Sequence, residues 1–309
     1  MTSRPRTILF TLIGPPLCGL LLACLVASAW VLTGLPTARG ETWFTLQKAP
    51  PAAAASFTSG QPNQVQFFLV VGNDSYGQQD RGGVGLGDAI HVIGVNPQQH
   101  AATILDIPRD TSVGGGGKIN STLATGGLQQ FTQTVSEFVG VPITFSMTTN
   151  FDDFIKLVND MGGLDINIPQ PMEDLENSGA DFQPGPQHIM GDDALKFARD
   201  RHSFSEGDIK RTQNQAYLII TALQNLQQRN TGPGGVLNLL GSVGRHVQMQ
   251  NASFQDLYRL GRLVLTIDPN NIKNVVIPTD GGSGTNLTPG AGIQDLFNDF
   301  KDDGVLESH

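Results

Sequence analysis

Cysteine is nearly absent from this chain, and its two copies, Cys18 and Cys24, both fall inside one apolar N-terminal run. The rest of the sequence can therefore form no disulfide and no thiolate metal site, and cysteine catalysis is excluded there. Charge is also scarce: 15% of the 309 residues are Asp, Glu, Lys or Arg, with a formal net charge of −9. An acidic balance on an exported domain argues against a nucleic-acid partner. The six histidines are scattered, without the close spacing of a zinc site. No Gly-x-Ser-x-Gly elbow and no Walker phosphate loop occurs. Stability must come from a conventional core, for which roughly 270 exported residues are sufficient.

Charge is missing most completely from residues 8–35, which follow Arg4 and Arg6. A span of roughly 20 apolar residues crosses a bilayer. Two arginines ahead of the run, against Arg39 after it, place the N-terminus in the cytoplasm. The expected organisation is a cytoplasmic N-terminus at 1–7, a signal-anchor helix at 8–35, an extracytoplasmic linker at 36–63 and one exported domain at 64–309 of a single-pass cell-membrane protein. Pro15, Pro16 and Gly19 predict a kink or late helix start. A signal peptide cleaved after Ala27-Ser28-Ala29 is the competing reading, and Leu21-Leu22-Ala23-Cys24 faintly resembles a lipoprotein site. The linker is rich in Ala, Pro, Ser, Thr and Gln, as suits a tether.

Within the exported part, apolar runs predict strands at 65–71, 89–95, 102–107, 143–149, 164–168 and 272–277. Helical spacing predicts helices at 128–138, 152–161, from 192 to near Phe197, and at 208–229, 236–247, 254–266 and 293–300. The stretch 169–187 reads as irregular and acidic. Alternating strands and helices predict an α/β class, a three-layer α/β/α sandwich around a central mixed, mostly parallel sheet.

Against this sparse background, Lys196, Arg199, Arg201, Lys210 and Arg211 crowd together. Guanidinium groups grip phosphate bidentately, so the cluster points to a multiply charged phosphate ligand. Arg199 and Arg201 share one side only on extended backbone, which predicts that the chain leaves its helix near Phe197. The alternative is surface pairing with Asp200 and Glu206. Asp208 reads as a helix N-cap. Arg211 and Gln215 lie one turn apart at the positive helix end, a plausible cradle for a diphosphate. Arg109 ends a strand in Ile-Pro-Arg-Asp-Thr, at the carboxyl edge where α/β sheets bind ligands. Asp74 and Asp88 sit at adjacent strand ends and would suit a hard cation sharing its shell with phosphate; each alone is a turn former. His202, beside the cluster, reads as a packing or hydrogen-bonding residue.

These segments, in order, resemble the LytR-CpsA-Psr family. The likeness is carried by G-x-D, D-A-I-H-V-I-G-V-N-P, I-P-R-D-T, G-K-I-N-S-T-L-A-T-G-G, F-D-D-F-I-K-L-V-N-D-M-G-G-L-D-I-N-I-P, and A-L-K-F-A-R-D-R-H followed by G-D-I-K-R-T-Q-N-Q. It spans about residues 65–228. The resemblance implies a membrane-anchored phosphotransferase that moves a glycopolymer (teichoic acid, capsule or arabinogalactan) from a polyprenyl-pyrophosphate carrier onto peptidoglycan, with pyrophosphatase activity when water replaces the acceptor. It implies that Arg109, Arg199, Arg201 and Arg211 grip the pyrophosphate, with Lys118, Asp208 and Gln215 beside them. It also implies that Asp74 and Asp88 hold Mg²⁺ or Mn²⁺. The polyprenyl tail would lie in an apolar tunnel, for which Phe131, Val135, Phe154, Leu218 and Leu223 are candidates; their bland role is core.

One position departs from the family. Where its members commonly carry Arg-Ser-Asp, this chain has Leu86-Gly87-Asp88, and Arg81 is the nearest substitute. Losing one charge-assisted contact costs on the order of 1.5–3 kcal/mol, about tenfold to a hundredfold in rate. A non-catalytic envelope scaffold or regulator that binds polyprenyl phosphates is the competing function.

Overall fold

The computed structural model describes residues 64–75, 85–114, 116–229, 233–281 and 286–307. The expected anchor, linker and cysteines, and Arg81, lie outside the described residues. Among the described residues no helix is long and apolar enough to cross a membrane.

A six-stranded sheet organises the domain. Its strands are β1 (Gln66–Asn73), β2 (Gly87–Asn96), β3 (Ala101–Asp106), β4 (Phe145–Thr149), β9 (Gln248–Gln250) and β10 (Ile272–Val276), in the order β10-β3-β2-β1-β4-β9. β1 pairs parallel with β4, and β10 parallel with β3, whereas β2 runs against both its neighbours and β9 against β4. Four strands thus share one direction, and the sheet is mixed and mostly parallel as expected. β2 and β3 are antiparallel neighbours joined only by residues 97–100, a connection too short for a parallel crossover.

Each strand feeds two cores through its period of two. Leu69, Val71, Ile90, Val92 and Leu105 face α1 (Ser121–Val139) and α7 (Ile293–Asp303), with Phe131, Val135, Phe297 and Phe300 filling that layer. Phe68, Ile93, Val95, Ile104 and Phe145 face the opposite way. There they meet α4 (Asp208–Gln228), α5 (Pro233–His246) and α6 (Phe254–Val264) through residues such as Ala216, Leu240 and Leu257. The Phe68 and Phe145 rings stack at 5.0 Å across β1 and β4. This is the three-layer sandwich. Burial on both faces explains why these strands read as unbroken apolar runs. Gly94 is required by contact, because a Cβ there would lie 2.5 Å from the Gly304 carbonyl oxygen at the end of α7.

A third cluster lies beside this frame. It joins α2 (Phe151–Asp160) and α3 (Gly191–Arg199) to two small antiparallel sheets. One pairs β5 (Leu164–Ile168) with β8 (Gly185–Ile189), the other β6 (Met172–Asp174) with β7 (Ala180–Phe182). The segment expected to be irregular at 169–187 therefore contains two strands and the start of a third. Strands of three residues are too short to show a period, and a polar residue, Asp174, is buried at the end of one. β11 (Thr279–Asp280) and β12 (Thr288–Pro289) form a last small pair.

Candidate functional site

The carboxyl end of β1 and the start of β2 come together because Asn73 pairs with Gly87. Asp74 closes the junction: its N–H donates to the Leu86 carbonyl at 3.1 Å, and its Oδ1 accepts from Leu86 N–H at 2.7 Å. At the position that departs from the family, the backbone thus orients Asp74 whatever the side chain. Asp88 follows one residue into β2. β3 ends at Asp106, and Arg109, just after Pro108, places a guanidinium nitrogen 2.6 Å from Asp88 Oδ2.

Helix α4 supplies the next wall. Gly207, at φ 54°, makes the turn into it. Gly207 rather than Asp208 occupies the cap position, so Asp208 is the first helical residue. Its carboxylate turns sideways, 2.9 Å from an Arg211 terminal nitrogen and 3.9 Å from Arg109 Nε. The shorter contact is an ion pair without hydrogen-bond geometry, since neither Asp208 oxygen has a hydrogen-bond partner. Arg211 is buried and also donates to the Asp88 carbonyl at 3.4 Å. Gln215, one turn on, donates to the Ala198 carbonyl at 3.1 Å and so ties α4 to the end of α3.

Arg199 and Arg201 reach the same cleft by a route the spacing did not show. α3 runs two residues past Phe197, to Arg199, with Lys196 and Arg199 in its last turn, where cations suit the helix dipole. Asp200 then turns extended at ψ 127°, re-aiming Arg201. The Arg199 guanidinium lies 5.1 Å above the Phe151 ring. A polar cleft of about 310 Å³ gathers Asp74, Asp88, Arg109, Arg199, Arg201, Arg211 and Gln215. Lys118 does not line it; its Nζ pairs with Asp110 at 2.7 Å.

Electrostatics in the cleft follow from burial. Burial pushes the Asp88 carboxyl upward despite Arg109 and Arg211, and Asp74 adds to the push. Burial also lowers Arg211. For Arg109 burial works the same way, but Asp88, Asp208 and Asp110 outweigh it and raise the group. Asp88 Oδ1, Arg109 Nε, Arg211 Nε and Gln215 Oε1 are buried without hydrogen-bond partners. Orphaned groups of both signs are costly unless a ligand satisfies them. Donors from the arginines suit phosphate oxygens, and the carboxylates suit a cation.

Among the described residues no group of three or more His, Cys, Asp or Glu could hold a metal alone. Two carboxylates with an orphaned oxygen nonetheless fit Mg²⁺, which keeps waters and shares substrate phosphates rather than filling an all-protein cage.

Beside the polar cleft lies an apolar cavity of about 420 Å³, between the sheet and α4, α5 and α6. Asp88, Phe151, Arg199 and Gln215 border both spaces, so the two adjoin. Phe154, Leu218 and Leu223 line the cavity as expected. Phe131 and Val135 do not. They are fully buried in the core on the other side of the sheet. Helical spacing shows an apolar face but not which side of the sheet it covers. Sequence reasoning also missed Phe151, Asp174, Asn177 and Ser178 as lining residues and set His202 aside. The Asp-x-x-Asn-Ser turn signal was present in a stretch read as irregular.

With this geometry in place, comparisons with known proteins agree on one lineage. The LytR_cpsA_psr family model matches residues 42–297. A polyisoprenyl-teichoic acid–peptidoglycan teichoic acid transferase, TagV of Bacillus subtilis (strain 168), is 30% identical over 163 residues. That match spans 49% of this chain and only 41% of TagV. The transferase TagU of Halalkalibacterium halodurans is 30% identical over 231 residues, covering 69% of this chain and 74% of TagU. The crystal structure of B. subtilis TagV superposes with a TM-score of 0.67 at 21% identity, over 80% of this chain and 99% of that one, a likeness of fold.

Proposed function

The chain belongs to the LytR_cpsA_psr family, and from that premise we propose that it transfers a glycopolymer from a polyprenyl-diphosphate carrier onto peptidoglycan. One observation carries this reading: a cleft holding four arginines adjoins an apolar cavity across shared lining residues. Diphosphate and hydrocarbon are opposite chemistries, and a polyprenyl diphosphate is a ligand that needs both within one molecule.

Arg109, Arg199, Arg201 and Arg211 bind and orient the diphosphate through charge-assisted, bidentate contacts. Asp208 stands between Arg109 and Arg211 and keeps two cations close together before the ligand arrives. Gln215 couples that pair to the Arg199 segment. A diphosphate ester resists attack because its own charge repels nucleophiles. Fixed guanidiniums stabilise that charge further as it moves to the leaving lipid phosphate, so they contribute to rate as well as binding. Asp74 and Asp88 would hold Mg²⁺, which when bound supplies further neutralisation of that charge. The apolar walls receive the lipid tail and exclude water from one side of the site. Residues 8–35, as a signal anchor, would keep this site at the outer membrane surface, where carrier and peptidoglycan meet. A binding-only scaffold is disfavoured by the convergence of both carboxylates with all four arginines.

The test is phosphate release from geranyl diphosphate by the full chain in detergent, with and without Mg²⁺. Turnover that needs the metal is expected, and Arg201→Ala should abolish it. Tight binding of geranyl diphosphate without release under any divalent metal moves the protein to the scaffold class.

A further inference from the structure

The transfer reaction leaves one task without a residue. An acceptor hydroxyl must lose its proton as its oxygen attacks phosphorus. Arginines do not titrate in the working range, and Asp88 is already engaged by Arg109. The remaining wall of the cleft carries a pair suited to the task. Asp174 ends β6 with its side chain 2% exposed, whereas the His202 side chain is 44% exposed, and both line the cleft. Asp174 Oδ2 lies 3.1 Å from His202 Nδ1. Asn177 Nδ2 donates to Oδ1 at 2.6 Å, and Ser178 N–H donates to Oδ2, the oxygen facing His202, at 3.3 Å. The carboxylate is therefore locked from behind while the imidazole stays open in front.

Resting on the transferase reading, we propose that His202 is the general base for the acceptor hydroxyl and that Asp174 is its positioning residue. A carboxylate on Nδ1 selects the tautomer with the proton on that nitrogen, which leaves the lone pair on Nε2. The same logic orients bases beside nucleophiles on unrelated folds. In the step itself, the acceptor oxygen forms a bond to the distal, sugar-bearing phosphorus. The bridging phosphorus–oxygen bond breaks, and polyprenyl phosphate leaves with its electron pair. The acceptor proton passes to His202 Nε2 and then to solvent. Hydrogen bonds from Asn177, His202 and Ser178 overcome the effect of burial and hold the Asp174 carboxyl down to about 2. It therefore remains ionised behind the ring.

The bland role of the pair is a staple between the β6–β7 turn and the loop after α3, which the Ser203 hydroxyl also joins by accepting from Glu173 N–H at 2.7 Å. The variants separate the two roles. Asn at 202 can still donate to Asp174 from nearly the Nδ1 position but cannot take a proton, whereas His202→Ala removes both functions. The cations of the cleft are Arg109, Arg199, Arg201 and Arg211; its other carboxylates are Asp74 and Asp88. None of them bonds His202, so a pH profile lost with His202 alone reports this ring.

The experiment follows geranyl diphosphate turnover by the full chain in detergent with Mg²⁺, water standing in for the sugar hydroxyl. For both His202→Asn and His202→Ala, kcat should fall by about a hundredfold or more, with KM held within about twofold. The acidic limb of the wild-type kcat–pH profile should disappear in both. Asp174→Asn should lower kcat less and leave a shifted limb. The proposal is overturned if His202→Asn keeps wild-type kcat and pH profile, or if only His202→Ala is impaired, which marks a staple. A wild-type protein that binds without turning over defeats the transferase reading instead, and the assigned base falls with it.

Discussion

Arg211 is a cation taken almost wholly out of water, and Asp208 is its nearest counter-charge. Removing one member of a buried pair leaves the other uncompensated, at about 3–5 kcal/mol. Arg211→Ala should therefore lose both turnover and several kcal/mol of stability in urea titration. Arg201 is exposed. Its replacement by Ala should abolish diphosphate binding yet change stability by no more than about 0.5 kcal/mol. If Arg201→Ala unfolds the domain instead, its role is structural. Asp174 offers a test in pH. Its carboxyl is lowered from 3.8 to about 2, so the folded state favours the ionised form. That stability is fully present above the unfolded value and drains away as pH falls from about 4 towards 2. The urea-midpoint gap between wild type and Asp174→Asn should be widest near neutrality and close through that window. A gap independent of pH removes the carboxylate's charge from the explanation.

Helices α3 and α4 show what spacing can and cannot reveal about an element. The arginine cluster was plain in the sequence because charge is so rare elsewhere. Its geometry was not. Two-residue spacing calls for extended backbone from near Phe197, yet the helix runs on to Arg199 and the backbone turns extended at Asp200, which re-aims Arg201. Asp208 looked like a cap because Asp favours that place, but Gly207 takes the position with a positive φ and frees the carboxylate to pair with arginines. No neighbour would meet a Cβ at Gly207, so strain there comes from the backbone alone. Gly207→Ala should cost on the order of 1–3 kcal/mol, visible as a lower Tm. It should also reduce turnover, because the start of α4 carries Arg211 into the cleft and Asp208 to its side. Wild-type kcat in a destabilised Gly207→Ala protein would show that the elbow serves folding only.

For the molecule as a whole, two chemically opposed spaces share a border, and the apolar one gives a test by size. Leu240, on α5, lines the cavity. Overpacking costs about 1–3 kcal/mol in a filled core, but here there is space to receive extra atoms. Leu240→Trp should weaken binding of a long polyprenyl phosphate at least tenfold while inorganic pyrophosphate binds as before, a contrast readable by calorimetry. Equal losses for both ligands would detach the cavity from the lipid.

Much of this architecture is written locally. Apolar runs mark the strands, periodicity marks most helices, and motifs in order mark the family, because each depends on neighbours a few residues apart. β5 illustrates the limit: its pattern resembles a core strand, yet it pairs with β8 outside the main sheet. Phe131 and Leu218 both sit on apolar helix faces, but they lie in different cores, and only Leu218 lines the cavity. The sequence by itself determined that four arginines carry chemistry suited to an anionic ligand and two aspartates chemistry suited to a cation, since that chemistry is intrinsic to the residues. Only the tertiary structure decided that they share one cleft, that the cleft adjoins an apolar cavity, and that Asp174 stands behind His202. Those facts rest on which strands pair and which side of the sheet each helix covers, and contacts between distant parts of the chain set both.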